Sequence, residues 1–80
     1  MLRRNEPQES FYQYLMSRRN QKAVADPIAN FANNAFYDES FPKQSKNYNQ
    51  VSKYLEEFGS YLPNMTIFDK AWQQYLDNVH

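Results

Sequence analysis

Apolar residues recur along this chain at spacings of three and four, the period of one helix face. Phe11, Tyr14 and Leu15, with Arg18 closing the stripe, predict a first helix over roughly 10–19. Ser10 stands three residues before Gln13, the spacing of a capping box that satisfies orphan donors at a helix start. Arg18 and Arg19 then fall in the last turn, where cations suit the helix dipole. Asp26-Pro27 marks a second start, with Asp as N-cap and Pro at the first helical position. Ile28, Phe31, Ala32, Ala35 and Phe36 share one stripe, so helix 2 is expected to run to about Asp38. Helix 3 is expected from near Asn47, with Gln50 three residues on, and carries Tyr48, Val51, Tyr54, Leu55 and Phe58. Gly59 is expected to end it in the left-handed conformation. Thr66 and Asp69 have capping-box spacing before a fourth helix that bears Phe68, Ala71, Trp72, Tyr75, Leu76 and Val79. No strand-like alternation and no internal repeat interrupts the pattern. Residues 1–9 are polar, contain Pro7, and predict a mobile arm ahead of one all-α domain over 10–80.

One polar stretch, "DESFPKQSKNY" at 38–48, holds a Phe in front of a Pro. A residue before Pro is pushed out of helical geometry, so Phe41 cannot continue helix 2. A connection of about eight residues is long for two helices. It is steadier if a side chain pins it to the core, and Phe41 is the expected pin.

Composition changes the picture of the core. Eighty residues make one small domain. Leu, Ile, Val and Phe together are a fifth of the chain, which borders on disorder, but the net charge is zero and aromatic residues reach 18%. The core must therefore be largely aromatic, and each ring buries about 150–250 Å². The expected set is Phe11, Leu15, Phe31, Ala35, Phe36, Val51, Leu55, Phe68, Trp72 and Tyr75, with Phe58 also on an inner side. Tyr61 and Leu62 are expected to pack down in the turn "SYLPN", yet Tyr12, Tyr37 and Tyr61 are the tyrosines best placed for a surface patch.

The segments "SFYQYL", "FANNAF", "DESFPKQSKNY", "VSKYLEEF" and "FDKAWQQY" follow one another in an order and spacing that resembles the YozE family, small sterile-alpha-motif-like (SAM-like) proteins of low-GC Gram-positive bacteria. The resemblance covers about residues 10–79. Ser40-Phe41-Pro42-Lys43 with Tyr48, and the Phe68, Asp69, Ala71, Trp72, Tyr75 pattern, are specific in combination. It implies a compact four-helix SAM-like fold and transfers no activity and no functional residue. The arm at 1–9 is longer than the resemblance leads one to expect.

Charge and residue chemistry exclude several classes of function. A neutral chain has no built-in general attraction to nucleic acid or anionic membrane. No apolar run is long enough to span a bilayer, and none follows the N-terminal arginines as a signal peptide would. Without Cys there is no disulfide, thiolate or Cys-zinc chemistry, and a cytoplasmic location is expected. A single Gly excludes phosphate-cradling loops and dinucleotide fingerprints. The one His, His80, has no convergent partners for a metal. Ser10, Ser45 and Ser52 have no His to activate them. Asp38/Glu39 and Glu56/Glu57 are adjacent pairs that diverge on a helix and read as solvated faces and caps. Asp38 and Asp69 could approach one another, but carboxylate chemistry also needs a cleft. No catalytic, cofactor or metal residue is assigned, and an enzyme is not expected.

What is left is binding. Residues 1–22 carry net +3 and residues 23–80 net −3, a bipolar distribution that suits electrostatic docking to a partner. The leading expectation is a monomeric, non-enzymatic module whose partner is a protein. The alternative is an accessory protein that binds nucleic acid weakly, through the Arg18/Arg19 cluster or the start of helix 3. There Lys43, Lys46 and Lys53 stand with Asn49 and Gln50, residue types that read adenine beside a helix N-terminus that suits phosphate. Against this alternative, Glu56 and Glu57 follow in the same helix, and the loop before it is too long for a helix-turn-helix.

Overall fold

Four helices make up the computed structural model, which describes residues 9–20 and 25–78: α1 (Phe11–Met16), α2 (Pro27–Phe36), α3 (Tyr48–Phe58) and α4 (Met65–Asp77). Most of the arm expected at 1–9, and Val79, lie outside the described residues. Helix α4 packs against each of the other three, whereas α3 packs against α4 alone among the helices. The fold is therefore organised around its last helix.

The starts follow the sequence. Ser10 Oγ accepts the Gln13 N–H at 3.2 Å while Gln13 Oε1 accepts the Ser10 N–H at 2.9 Å, the full capping box. Asp26 Oδ1 accepts the Ile28 N–H at 3.0 Å, with Pro27 next in line where a missing N–H costs nothing. Asn47 Oδ1 accepts the Gln50 N–H at 3.0 Å. Helix α4 departs from expectation. Its N-cap is Asn64, whose side chain accepts the Ile67 N–H at 3.3 Å, and Thr66 lies inside the helix, exposed. Asn is as strong a cap as Thr or better, and Asn64 itself has the extended backbone of an N-cap, φ −161° and ψ 162°.

Three ends differ too. Helix α1 stops at Met16. The next N–H groups, from Ser17, Arg18 and Arg19, bond to carbonyls three residues back, the tighter turn of a fraying helix end. Arg18 and Arg19 thus lie beyond the helix and not in its last turn. Helix α2 ends at Phe36, two residues short of the expected Asp38. Gly59 follows α3 with φ −94° and ψ 49°, not in the left-handed region. Its need for Gly is spatial: a Cβ would stand 2.8 Å from both the Leu55 Cδ2 and the Leu55 carbonyl oxygen.

The core is a nest of rings. Phe11, fully buried, lies 4.9 Å from Trp72, 5.5 Å from Phe68 and from Tyr75, and 6.3 Å from Phe31, measured between ring centroids. Two of these contacts are edge-on, the arrangement favoured by ring quadrupoles. Ala32, Ala35 and Ala71 are fully buried and give the helix backbones room to approach, so that the large rings fit between them. Leu15, Val51 and Leu55 complete the core, and Leu62 is buried as expected.

Two aromatic residues assigned to the core are not in it. Phe36 is 45% exposed and Phe58 is 61% exposed. Each is the last residue of its helix, so the apolar stripe continues past the point where a facing helix can cover it. Tyr12, by contrast, is half-buried against Phe41.

The connection from α2 to α3 is pinned as expected. Phe41 is buried, with its ring 5.4 Å from Tyr12 and 5.8 Å from Tyr54. The same loop also receives the start of α1. The Ser10 hydroxyl donates to the Lys43 carbonyl at 2.7 Å, and the Phe11 N–H donates to the Ser45 carbonyl at 3.2 Å.

Phe41 and Phe58 provide a matched test of this division. Phe41→Ala opens a hole in the loop anchor and should cost about 3–5 kcal/mol. Phe58→Ala, at a mostly exposed ring, should cost under about 1 kcal/mol. Urea denaturation of the two variants measures both, and equal losses would contradict the placement of Phe58.

Candidate functional site

The basic and amide groups singled out in the sequence do not form one surface. Arg18 is exposed and borders a shallow depression shared with Asp77 at the end of α4. Arg19 turns to α2: its Nε donates to Asn33 Oδ1 at 3.2 Å, and its guanidinium carbon lies 3.9 Å from the Phe36 ring centroid. The Arg18/Arg19 cluster is thus split. Lys43 is half-buried, with Nζ 3.5 Å from the Glu39 carbonyl and 5.7 Å from the Tyr12 ring centroid. Lys46, Asn49, Gln50 and Lys53 are exposed around the start of α3; Asn49 and Gln50 stand four and three residues before Lys53 on one side of the helix, and Lys46 precedes the Asn47 N-cap. Glu56 and Glu57 are exposed one turn further on. Of the candidates, Asn49, Gln50 and Lys53 share an exposed helix face with Lys46 just ahead of it, and Arg18, Arg19 and Lys43 are directed elsewhere.

A second surface emerges where α2 and α3 end. Asp38 follows α2, and its N–H donates to the Ala35 carbonyl at 3.0 Å. Its carboxylate collects donors from three parts of the chain. The Tyr54 hydroxyl of α3 lies 2.7 Å from each oxygen. The Tyr61 hydroxyl, from the connection into α4, donates to Oδ2 at 2.8 Å. The Ser40 N–H donates to Oδ1 at 3.2 Å, and the Asp38 carbonyl in turn accepts the Phe41 N–H at 3.1 Å. Asp38 thus ties the long loop to α3 and to the next turn. The expectation of a solvated acidic pair at 38/39 holds for exposed Glu39 and not for half-buried Asp38.

Both tyrosines stay protonated far above neutrality. Burial first, then the hydrogen bond to the Asp38 carboxylate, pushes the Tyr54 phenol up to about 12. The same two causes, in the same order, push Tyr61 up. These hydroxyls are donors by construction, which suits them to hold a carboxylate and not to take a proton. Asp69, weighed as a possible partner of Asp38, likewise accepts a tyrosine hydroxyl, that of Tyr48 at 2.7 Å.

Beside this knot lies a groove of about 400 Å³, lined by Asn34, Tyr37, Asp38, Phe58 and Tyr61. Tyr37 is 70% exposed, and its ring meets Phe36 edge-on at 4.9 Å. Phe58 leans on Tyr54 at 5.3 Å. Here the rings that outrun their helices gather beside an ionisable group. Sequence reasoning placed Tyr37 and Tyr61 on a possible surface patch but put Phe36 and Phe58 inside. The available signal was position: both close their helices next to connecting segments, where no facing helix follows.

Among the described residues no three His, Cys, Asp or Glu side chains converge as a metal site, and no helix is long and apolar enough to cross a membrane.

Comparison with known proteins adds the following. A family profile described as "YozE SAM-like fold" matches residues 10–77. A "UPF0346 protein" of Limosilactobacillus reuteri is 57% identical over 71 residues, covering 89% of this chain and 96% of the relative. A "UPF0346 protein" of Ligilactobacillus salivarius is 60% identical over 67 residues, covering 84% and 88% respectively. One of Latilactobacillus sakei is 53% identical over 70 residues, covering 88% and 93%. No solved structure matches the chain.

The Asp38 knot predicts a defined response to alkali. A phenol whose folded value of about 12 exceeds its ordinary 10.0 contributes stability in full below pH 10 and loses it as pH rises toward 12. The stability advantage of the parent over Tyr54→Phe should therefore shrink across that window. Thermal melts of both proteins, with tyrosinate absorbance followed in parallel, test this. An advantage that does not change with pH would contradict the tie to Asp38.

Proposed function

The chain belongs to the YozE SAM-like family, and on that footing we propose that it is a non-enzymatic module that binds a protein partner through the surface at the ends of α2 and α3. One observation carries the reading. Phe36, Tyr37 and Phe58 are exposed at the ends of α2 and α3, and Tyr37 and Phe58 line a groove there. Exposed aromatic residues gathered beside a concave surface are the usual anchors of a protein interface, since they bury much area for few frozen rotors. The knot below them supports the same reading: Asp38 holds the loop and two connections still, so the rings are presented on a fixed base.

Nucleic acid is the less favoured partner. Lys46, just ahead of α3, and Lys53 on its exposed face supply two charges, and Glu56 and Glu57 follow within about one turn of Lys53. Affinity for phosphate backbones grows with the number of phosphates neutralised, and two lysines neutralise few. A chain without Cys also suits the reducing environment of the cytoplasm.

Capture from a lysate of a lactobacillus, with and without nuclease, tests the reading. A protein should be retained after nuclease treatment by the parent and lost with the Tyr37→Ser/Phe58→Ser double variant, whose helix content and melting point stay near the parent's. Material that disappears with nuclease, or binds the double variant equally, would overturn the proposal.

A further inference from the structure

The groove between α2 and α3 has a chemical character that narrows what it can accept. It is an open depression lined by Tyr37, Phe58, Tyr61, Asp38 and Asn34. The faces of aromatic rings are negative, and so is the carboxylate. The groove also lies at the C-terminal ends of two helices, the negative ends of their dipoles. Exposed Glu39 and Glu57 flank the lining residues in the chain, and no Lys or Arg lines the groove among the described residues. Asp38 has hydroxyl and amide donors for partners, so its charge is held in place by neutral groups and not cancelled by a cation.

We infer that this groove is a receptor for a cationic side chain, an arginine or lysine projecting from the partner protein, held between the Tyr37 and Phe58 rings with its charge toward Asp38. The inference rests on the protein-binding reading above and specifies its chemistry. The protein already shows the contact on an adjacent residue. The Arg19 guanidinium lies on the Phe36 ring at 3.9 Å from the centroid, and Phe36 in turn packs against Tyr37. One ring of this exposed cluster is thus occupied by the chain's own arginine, while Tyr37 and Phe58 remain open. A volume of about 400 Å³ admits one such side chain with its flanking backbone. Aromatic rings beside a carboxylate favour a cation over a neutral amide, because the rings and the charge act in the same direction.

The probe is a short acetylated glycine peptide with one central arginine, titrated into isotope-labelled full-length protein and followed by heteronuclear NMR. Its counterpart has citrulline in place of the arginine, the same shape without the charge. Shifts should concentrate on Asn34, Tyr37, Asp38, Phe58 and Tyr61 with the arginine peptide and be absent with the citrulline peptide. Tyr37→Ala and Phe58→Ala, at exposed positions that leave the fold intact, should each weaken binding by about two- to fivefold, the size of one exposed cation–π contact. Asp38→Asn should weaken it further, and the two ring variants keep the test decisive if that change loosens the loop. Equal shifts from both peptides, or shifts spread over Glu56, Glu57 and Asp77 and untouched by Phe58→Ala, would overturn the inference. Lysate capture that depends on Tyr37 and Phe58 while the arginine peptide leaves the groove unshifted would overturn the cation receptor and leave the protein-binding reading standing.

Discussion

Everything in this fold converges on the ring of Phe11. It touches Phe31 of α2 and Phe68, Trp72 and Tyr75 of α4, so one side chain closes the space between three helices. The helix that carries it has six residues, far too few to be stable alone. Helix α1 exists because its first residue is a core residue and because its start is held from two sides. The capping box settles its own N–H groups, and the loop before α3 accepts the Ser10 hydroxyl and the Phe11 N–H. At the other end of the sequence, the Tyr75 hydroxyl donates to the Glu9 carbonyl at 2.7 Å, fixing the chain just as it enters α1. A short helix can thus serve as the keystone of a domain this small when half of its residues, Phe11, Tyr14 and Leu15, are buried.

The second constraint is the long connection between α2 and α3. Such a segment loses considerable entropy on ordering, so it must be compensated at several points. Phe41 does so from below through burial, and Asp38 from the side by collecting two phenols and an amide. The two devices share a residue: Tyr54 packs its ring against Phe41 and points its hydroxyl at Asp38. A change at Tyr54 therefore loosens both anchors together, whereas a change at Tyr37 removes none of the Asp38 hydrogen bonds, and one at Phe58 removes only the ring contact with Tyr54. That separation is what makes the groove testable apart from the fold.

Much of this was legible in the sequence, and the reasons for what was not are local. The caps at Ser10, Asp26 and Asn47 could be read because a capping side chain acts on N–H groups two or three residues away, a relation internal to the sequence. Asn64 and Thr66 both have capping side chains and only Thr66 has an acidic residue at the box spacing, so spacing alone points to Thr66, whereas the chain turns helical directly after Asn64. Gly59 was assigned to the wrong cause, since a close approach to Leu55 leaves no trace in sequence spacing. Phe36 and Phe58 were placed inside because periodicity says which side of a helix faces the core and not how far along the helix the cover extends. The Asp38 knot was invisible for a related reason: its tyrosines lie 16 and 23 residues away, and only the closing of the α3–α4 turn brings them together.

The two surfaces left after folding are of different kinds, and the difference bears on function. The side of α3 with Asn49, Gln50 and Lys53, and Lys46 just ahead of it, is exposed, a place where charges interact weakly and at a distance. The groove at the helix ends is open and lined by aromatic rings, so a group lying in it meets rings and a carboxylate together. Its polar groups are also committed. Asp38 is engaged by donors whose protons are held more tightly than in free tyrosine, which favours a fixed field over proton exchange. A site that must transfer protons needs a group poised to change state near neutrality. A site that must recognise a cation needs the opposite, a charge and a set of ring faces that stay as they are, and that is the arrangement built at the ends of α2 and α3.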